Sequence, residues 1–356
     1  MASHKSKTLK KRKGNDHGGN ENGHIDTSKP SAVFVPSSGR THTLSIALPG
    51  SIIANAVTPE QKTALAGQIA RACAVFCVDE VVVFNDGQAL IRPPERDGYT
   101  AFADPNYFLY HVLTFLETPP HLRRVLFPMH ADLKLAGALP SLDMPHHLRS
   151  DEWCPYREAV AVRQTQSKDG VSGTLLDCGL PDRVFVPVQL DDHTRVTVRL
   201  GEQSVASSTK PILGEAVSPD APREEAGYYW GFSVRQASSL GAVFTEAPYD
   251  GGYDVSLGTS ERGVPVQTIV QPGNQNHVAP TWQHLLIVLG GVAGLEAALS
   301  ADIELKKACV TEAKDLFDAW VNLVPSQGSR TIRTEEALWI GLANTRCLVE
   351  ARNFGP

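Results

Sequence analysis

Hydrophobic positions recur along this chain in two rhythms. From Thr41 they alternate, with Leu44, Ile46 and Leu48 at the period-two spacing of a β-strand. Beyond Thr58 the interval lengthens, and Leu65, Ile69, Cys73 and Phe76 follow one face of a helix. The start of that helix is written in Thr58-Pro59-Glu60-Gln61: a hydroxyl to cap, proline at the first position where no amide partner is lost, and Gln61 to complete a capping box. Residues 81–84 form a short apolar run with the character of a buried strand. Asp104-Pro105 opens a second helix, whose stripe is Phe108, Val112 and Leu116, and residues 125–127 predict a further strand. Strand, helix, strand, helix, strand implies a parallel sheet joined by right-handed crossovers.

Between about Arg149 and Arg235 the pattern changes. Residues 159–162, 183–190, 194–200 and 228–234 alternate over short runs, and Asp191-Asp192-His193 predicts a hairpin turn between two of them. A block of short strands inside an α/β domain predicts an inserted, small OB-like β-barrel. Barrels of that kind bind single-stranded nucleic acid by stacking bases on aromatic rings over a basic groove. Tyr228, Tyr229, Trp230 and Phe232 are the candidates for such a surface, although alternation would bury about half of them. Residues 215–225, rich in proline and acids, predict a flexible loop.

After the insertion, three apolar runs end in polar loops that carry glycine. Tyr253-Asp-Val-Ser-Leu-Gly258 opens into Thr259, Ser260, Glu261 and Arg262. His284 to Leu289 runs into Gly290-Gly291 and then a helix. Residues 319–324 stop at Pro325, which cannot donate to a ladder; Gln327-Gly328-Ser329 turn the chain, and a helix restarts at Thr334 with Glu335 and Glu336 at the positive end of its dipole. Each loop alone reads equally as a well-capped strand-to-helix connection. Together, at the carboxyl ends of parallel strands, three of them form one ligand pocket. Neither the G-x-G-x-x-G dinucleotide fingerprint nor a Gly-Lys-Ser/Thr phosphate loop occurs.

These three stretches carry a resemblance. Gly258-Thr-Ser-Glu-Arg-Gly263, Leu289-Gly-Gly-x-x-Gly-Leu-Glu296 and Gln327-Gly-Ser-Arg-Thr-Ile-Arg-Thr-Glu-Glu-Ala337 are signatures of a subfamily of the SPOUT-class RNA methyltransferases found in eukaryotes and archaea, and the likeness runs from about Arg40 onward. It implies an α/β fold with a SPOUT-type parallel sheet, a C-terminal trefoil knot, S-adenosylmethionine as methyl donor, and a homodimer. By the same resemblance, backbone groups of Leu289, Gly290, Gly291, Val324, Pro325, Gln327, Gly328 and Ser329 hold the adenosine, Ser260 and Arg262 line the opposite wall, Asn322 the floor, and Thr331, Ile332 and Thr334 the far side. Val292-Ala293 departs from many relatives, and Val324-Pro325-Ser326 replaces a Cys-Pro-Gly run; neither change removes a side chain the pocket needs. The implied organisation is a disordered basic tail over 1–39, a SPOUT domain in two parts over 40–148 and 238–356, and the inserted barrel over 149–237.

Composition narrows the alternatives. With 356 residues, 42% of them hydrophobic, the chain can bury a sizeable core and two domains are expected. Cys73, Cys77, Cys154, Cys178, Cys309 and Cys347 form no C-x-x-C pair and no zinc spacing with histidine, so reduced and mostly buried thiols are expected and no metal. His146-His147 reads as a loop feature. No apolar stretch reaches the ~18 residues of a membrane span, and Met1 is followed by lysines rather than by a signal-peptide core. The net charge of −6 hides a strong asymmetry: Lys5, Lys7, Lys10, Lys11, Arg12 and Lys13 crowd the beginning. That segment suits a nuclear-import signal, a nonspecific RNA arm or a solvated terminus. A nuclear or nucleolar location is the expectation, with the cytoplasm as alternative.

The chemistry follows from a sulfonium methyl donor. An acceptor atom must be held in line with the S–CH3 bond at roughly 3 Å, and positioning supplies most of the acceleration. A ring nitrogen must also lose a proton, which a base or an anion-stabilising cation assists. Arg262 and Arg333 are the candidate cations and Glu261 or Glu335 the candidate proton acceptor, against the alternative that these four form structural ion pairs. Ribosomal RNA, with uridine as the favoured base, is the substrate that the resemblance implies. Rival readings are an idle knotted RNA-binding assembly factor and an α/β enzyme using another nucleotide.

Overall fold

The computed structural model describes residues 36, 38–93, 98–167, 170–201 and 211–354. The basic segment at residues 5–13, and all but residues 36, 38 and 39 of the tail expected to be disordered, lie outside the described residues. Six strands, β1 (Thr43–Pro49), β2 (Glu80–Phe84), β8 (Ser233–Ala237), β9 (Val255–Pro265), β10 (His284–Val288) and β11 (Ala319–Asn322), form a sheet in the order β11-β9-β10-β1-β2-β8, parallel at every pairing. β1 and β2 are buried along their whole length; β2 reads as a nearly continuous apolar run, whereas β1 alternates and buries Thr43 with its hydroxyl on His284 Nδ1. Leu257, Ile287, Ile46 and Val81 lie side by side across four strands and face one core. The next row, Val288, Ala47 and Val82, faces the other.

Helices cover both faces. α1 (Pro59–Val75), α2 (Pro105–Glu117) and the helix Thr334–Phe354 pack on the first, while Leu240–Thr245 and Gly294–Ala301 pack on the second. The helix starts were legible: Thr58 and Gln61 form the reciprocal capping box, and the Asp104 carboxylate accepts the Tyr107 amide. The strand expected over 125–127 is instead the end of helix α3 (Pro120–Leu126). Pro120 sits at its first turn, and bonds such as Phe127 N–H to Arg123 O satisfy the backbone locally, so this short run needs no sheet partner.

The insertion is a closed five-stranded barrel in the order β3-β4-β5-β7-β6, built from β3 (Tyr156–Gln166), β4 (Ser172–Asp177), β5 (Val184–Val186), β6 (Arg195–Leu200) and β7 (Ile212–Val217). Its composition differs from expectation in three places. The run 215–225 is no flexible loop: it holds the end of β7 and a helical turn, Ala221–Glu224. Gly214 lets β7 close the barrel, because a Cβ there would stand 2.7 Å from methyls of both Val184 and Val198. The turn at residues 191–193 does not join paired strands; Ala161 of β3 grips it by donating to Thr194 O and accepting from His193 N–H, and β6 pairs with β3 and β7.

The third difference concerns residues 228–234. Gly231 takes φ +91°, with a Cβ position only 2.5 Å from a Glu117 carboxylate oxygen, and turns the chain out of the barrel region. β8 then pairs with β2, Val81 opposite Val234, in the parallel sheet. The aromatic residues before it are packing groups, not a stacking surface: Trp230 and Phe232 are buried, and the Tyr229 hydroxyl donates to Val78 O.

Where barrel meets sheet, two buried carboxylates are paired with one half-buried arginine. Arg195 of β6 donates to both Glu117 oxygens, at 2.7 and 3.1 Å, and through Nε to Glu158 at 2.6 Å. Glu158 also accepts from Thr197 Oγ1 and Trp230 Nε1. His146 and His147 close the cluster through the Glu117 carbonyl. Burial works to raise the Glu117 carboxyl, yet Arg195 and His146 outweigh it and hold it at about 2. Burial, aided by His146, pushes the His147 imidazole down to about 3, so it is neutral near neutrality.

Candidate methyl-donor and acceptor site

The chain order reverses between β10 and β1, and a cavity of about 520 Å3 opens beside that point, beyond the carboxyl ends of the strands. The three loops singled out in the sequence all reach it.

The first wall is made by β9 itself, which does not end at Gly258. Trp320 pairs with Gly258 but Val321 with Val264, so residues 259–263 bulge out of the ladder. The bulge is held on both sides. Thr259 Oγ1 donates to Val288 O at 3.1 Å, and Asn322 Nδ2 donates to the Glu261 carbonyl at 2.8 Å. Gly263 is needed because a Cβ there would meet the Val321 backbone at 2.4 Å. The bulge presents Ser260, Glu261 and Arg262 to the cavity.

The second wall is the Gly290-Gly291 loop after β10. A Cβ on Gly290 would lie 2.9 to 3.0 Å from the Gly294 backbone, so the loop stays bare and its peptide groups remain accessible. The third is the stretch 322–334. Asn322 Oδ1 accepts the Val324 amide, Ser326 stands at φ +61°, and Gln327 Nε2 donates to Ser329 O. Thr334 does not serve as the cap that its place suggested. Its hydroxyl donates to Gly290 O at 2.9 Å and ties the third wall to the second, while the Glu336 carboxylate accepts the Arg333 amide and caps the helix.

Of the residues singled out in the sequence, Ser260, Glu261, Arg262, Leu289, Gly290, Gly291, Asn322, Val324, Gln327, Thr331, Ile332, Arg333 and Thr334 line the cavity. Pro325, Gly328, Ser329 and Glu335 do not. Glu335 is buried on the first turn of its helix, with the Arg333 guanidinium 4.0 Å away. The lining also includes Thr259, Val292, Ala293, Gly294, Glu296, Leu323, Arg330 and Ala337, all within or beside the three signatures, and Asn55, which is far from them. Asn55 ends the 3-10 turn Gly50–Asn55 that follows β1, and nothing in its local sequence marks it.

Among the charged side chains of the lining, Arg262, Arg330 and Arg333 stand against Glu261 and Glu296, in a chain of net charge −6. The side chains of Arg262 and Arg333 are 74% and 76% exposed, and their pairings, 3.6 Å to Glu296 and 4.0 Å to Glu335, are loose. They are therefore free to meet an anion arriving from solvent. A cavity of this size, with bare glycine peptides inside and arginines at its mouth, suits a small nucleotide-like ligand below and a polyanion above.

Fold and site thus define an α/β enzyme class: a doubly covered parallel sheet with its pocket at the strand ends and an added β-barrel. The chain belongs to the family described as "Putative RNA methyltransferase", whose sequence model matches residues 43–345, and it is an RNA methyltransferase. It is 47% identical over 307 residues to the 28S rRNA (uridine-N(3))-methyltransferases of Mus musculus and Homo sapiens, covering 86% of this chain and 76% and 78% of theirs. The Drosophila melanogaster protein of the same name is 44% identical over 311 residues, covering 85% of this chain and 61% of that protein. The sheet and the separate barrel agree with a SPOUT core carrying an OB-like insertion. Among the described residues no helix is long and apolar enough to cross a membrane.

Proposed function

We propose that this chain transfers a methyl group from S-adenosylmethionine to N3 of a uridine in ribosomal RNA. The observation that carries the proposal is the joining of the three walls, Asn322 to the bulge and Thr334 to the glycine loop, around one cavity with two loosely paired, exposed arginines at its mouth. The names of the mouse, human and fly relatives supply the acceptor atom.

The residues present fit the donor. The Gly290-Gly291 loop leaves no side chain in its own segment of the wall, and Leu289, Val324, Ile332 and Ala337 add apolar lining. The stretch 322–334 is the segment that a trefoil knot would thread. When bound, the sulfonium supplies an electrophilic methyl group. This chain's own residues then have two tasks. One is to hold the uracil edge in line and exclude water, for which Asn55 and the bulge face the cavity from different strand ends. The other is to manage the N3 proton. Glu261, in the wall, is the acceptor we assign, and Glu335 is dropped from that role because it lies outside the lining. Arg262 stabilises the negative charge that develops on the uracil, and Arg333 holds RNA phosphate. The working unit is a homodimer located in the nucleus.

Calorimetry with S-adenosylmethionine, followed by single-turnover methylation of a uridine-containing rRNA fragment and mass spectrometry of its nucleosides, tests this reading. Saturable donor binding with 3-methyluridine as product is expected; no donor binding, or methyl transfer to another base or atom, would replace it.

A further inference from the structure

A group of side chains outside the pocket has the composition of a metal centre. His111 lies in α2, His130 precedes the 3-10 turn Ala131–Leu133, and Asp132 lies within that turn. Asp132 Oδ2 is 3.1 Å from His111 Nδ1 and 3.3 Å from His130 Nδ1. One ligand atom from each residue lies within 4.8 Å of the others. The two imidazoles meet edge to face with centroids 4.7 Å apart.

Hydrogen bonds alone account poorly for this arrangement. Asp132 is buried, and Thr100 already holds both its oxygens, with the amide on Oδ1 at 2.8 Å and the hydroxyl on Oδ2 at 2.7 Å. His130 Nδ1 also stands 3.3 Å from the Asp132 amide, a long contact in which the ring nitrogen is the acceptor, so in that tautomer Nδ1 carries no proton. Two imidazole nitrogens thus converge on one carboxylate oxygen, and in that tautomer no proton lies between His130 Nδ1 and Asp132 Oδ2. A cation shared by the three removes that conflict. Thr100 becomes the outer partner that fixes the carboxylate, as supporting hydrogen bonds do at metal sites. The His130 side chain is 28% exposed, which leaves an open side for a solvent ligand.

We propose that His111, His130 and Asp132 bind one divalent transition-metal ion, with zinc as the best match to two imidazoles, one carboxylate and a water. The ion would clamp the turn Ala131–Leu133 to α2. The same helix packs on the turn that ends at Asn55: the Cβ position of Gly50 is 2.4 Å from the Asn106 Cα. The clamp is therefore structural and braces one side of the pocket without touching the reacting atoms.

The test is titration of cobalt(II), then zinc displacement, on the chelator-stripped full chain purified without a histidine tag. It is made in a Cys309→Ser, Cys347→Ser background, because those thiols are exposed and could bind metal themselves. One equivalent should bind with the visible absorption of a low-symmetry nitrogen and oxygen site, and zinc should raise the thermal midpoint. His130→Gln, chosen for its partial exposure, and Asp132→Asn should each weaken binding at least tenfold, by analogy with losses at outer-shell positions alone. No saturable one-to-one binding, or unchanged affinity in His130→Gln, overturns the proposal and leaves a hydrogen-bonded cluster.

Discussion

Charged side chains gather in two regions of this molecule and are treated in opposite ways. At the junction of barrel and sheet, Glu117, Glu158 and Arg195 are largely withdrawn from water and joined by short hydrogen bonds. At the pocket mouth, Arg262 and Arg333 are three-quarters exposed and their nearest carboxylates stand 3.6 and 4.0 Å off. Charge that holds a fold together has its partners inside the chain. On the proposed function, the loose pairings of Arg262 and Arg333 leave guanidinium donors open to RNA.

Breaking the junction should have the largest effect. Arg195→Ala leaves two buried carboxylates without their cation, and a loss of about 3–5 kcal/mol is expected in chemical denaturation. If instead the variant unfolds like the parent, the junction is not the anchor described. The mouth should respond the other way round. Arg262→Ala should slow single-turnover methylation by about 10²-fold or more, comparable to removing one preorganised donor, while stability stays within about 0.5 kcal/mol of the parent. A variant that loses stability but keeps its rate would reverse the assignment of the two regions.

The junction also has a pH signature. His147 titrates at about 3 in the folded protein, below its unfolded value, so the unfolded chain binds the proton first as pH falls. Its contribution is complete above about pH 6.5 and declines toward 3, by about 2 kcal/mol at pH 5. Glu117, also lowered, contributes fully above the ordinary glutamate range and loses its share only as pH falls from there toward 2. Denaturation midpoints of the parent and His147→Gln between pH 7 and 5 separate the two, since only the histidine should act in that window. The smallest effect belongs to Thr334→Val, which deletes the bond to Gly290 O: about 1 kcal/mol of stability, with weaker donor binding in calorimetry as the sign that the tie shapes the pocket.

The two regions also differ in how far the sequence disclosed them. Pocket residues sit on three contiguous stretches because a parallel sheet gathers its strand-end loops at one edge, so a reader who recognises the strands has nearly found the site. The junction draws Glu117, His146, Glu158, Arg195 and Trp230 from separate elements, and each is unremarkable where it stands in the chain. Asn55 escaped for the same reason. The strand expected at 228–234 failed because alternation says that a run is extended without saying which sheet it joins.

What the sequence determined by itself was local: the capping box at Thr58 and the cap at Asp104 rest on contacts within a few residues, and the apolar strands and the three glycine-bearing loops show in the residue pattern of their own short segments. Tertiary structure decided the remainder. β8 joined the parallel sheet after Gly231 turned the chain, β9 ran on past Gly258 and bulged against β11, and the Thr334 hydroxyl found Gly290 instead of its own helix. The physical reason is common to all three. A polar group or strand edge takes the partner that folding brings to it, and that partner can lie far along the chain.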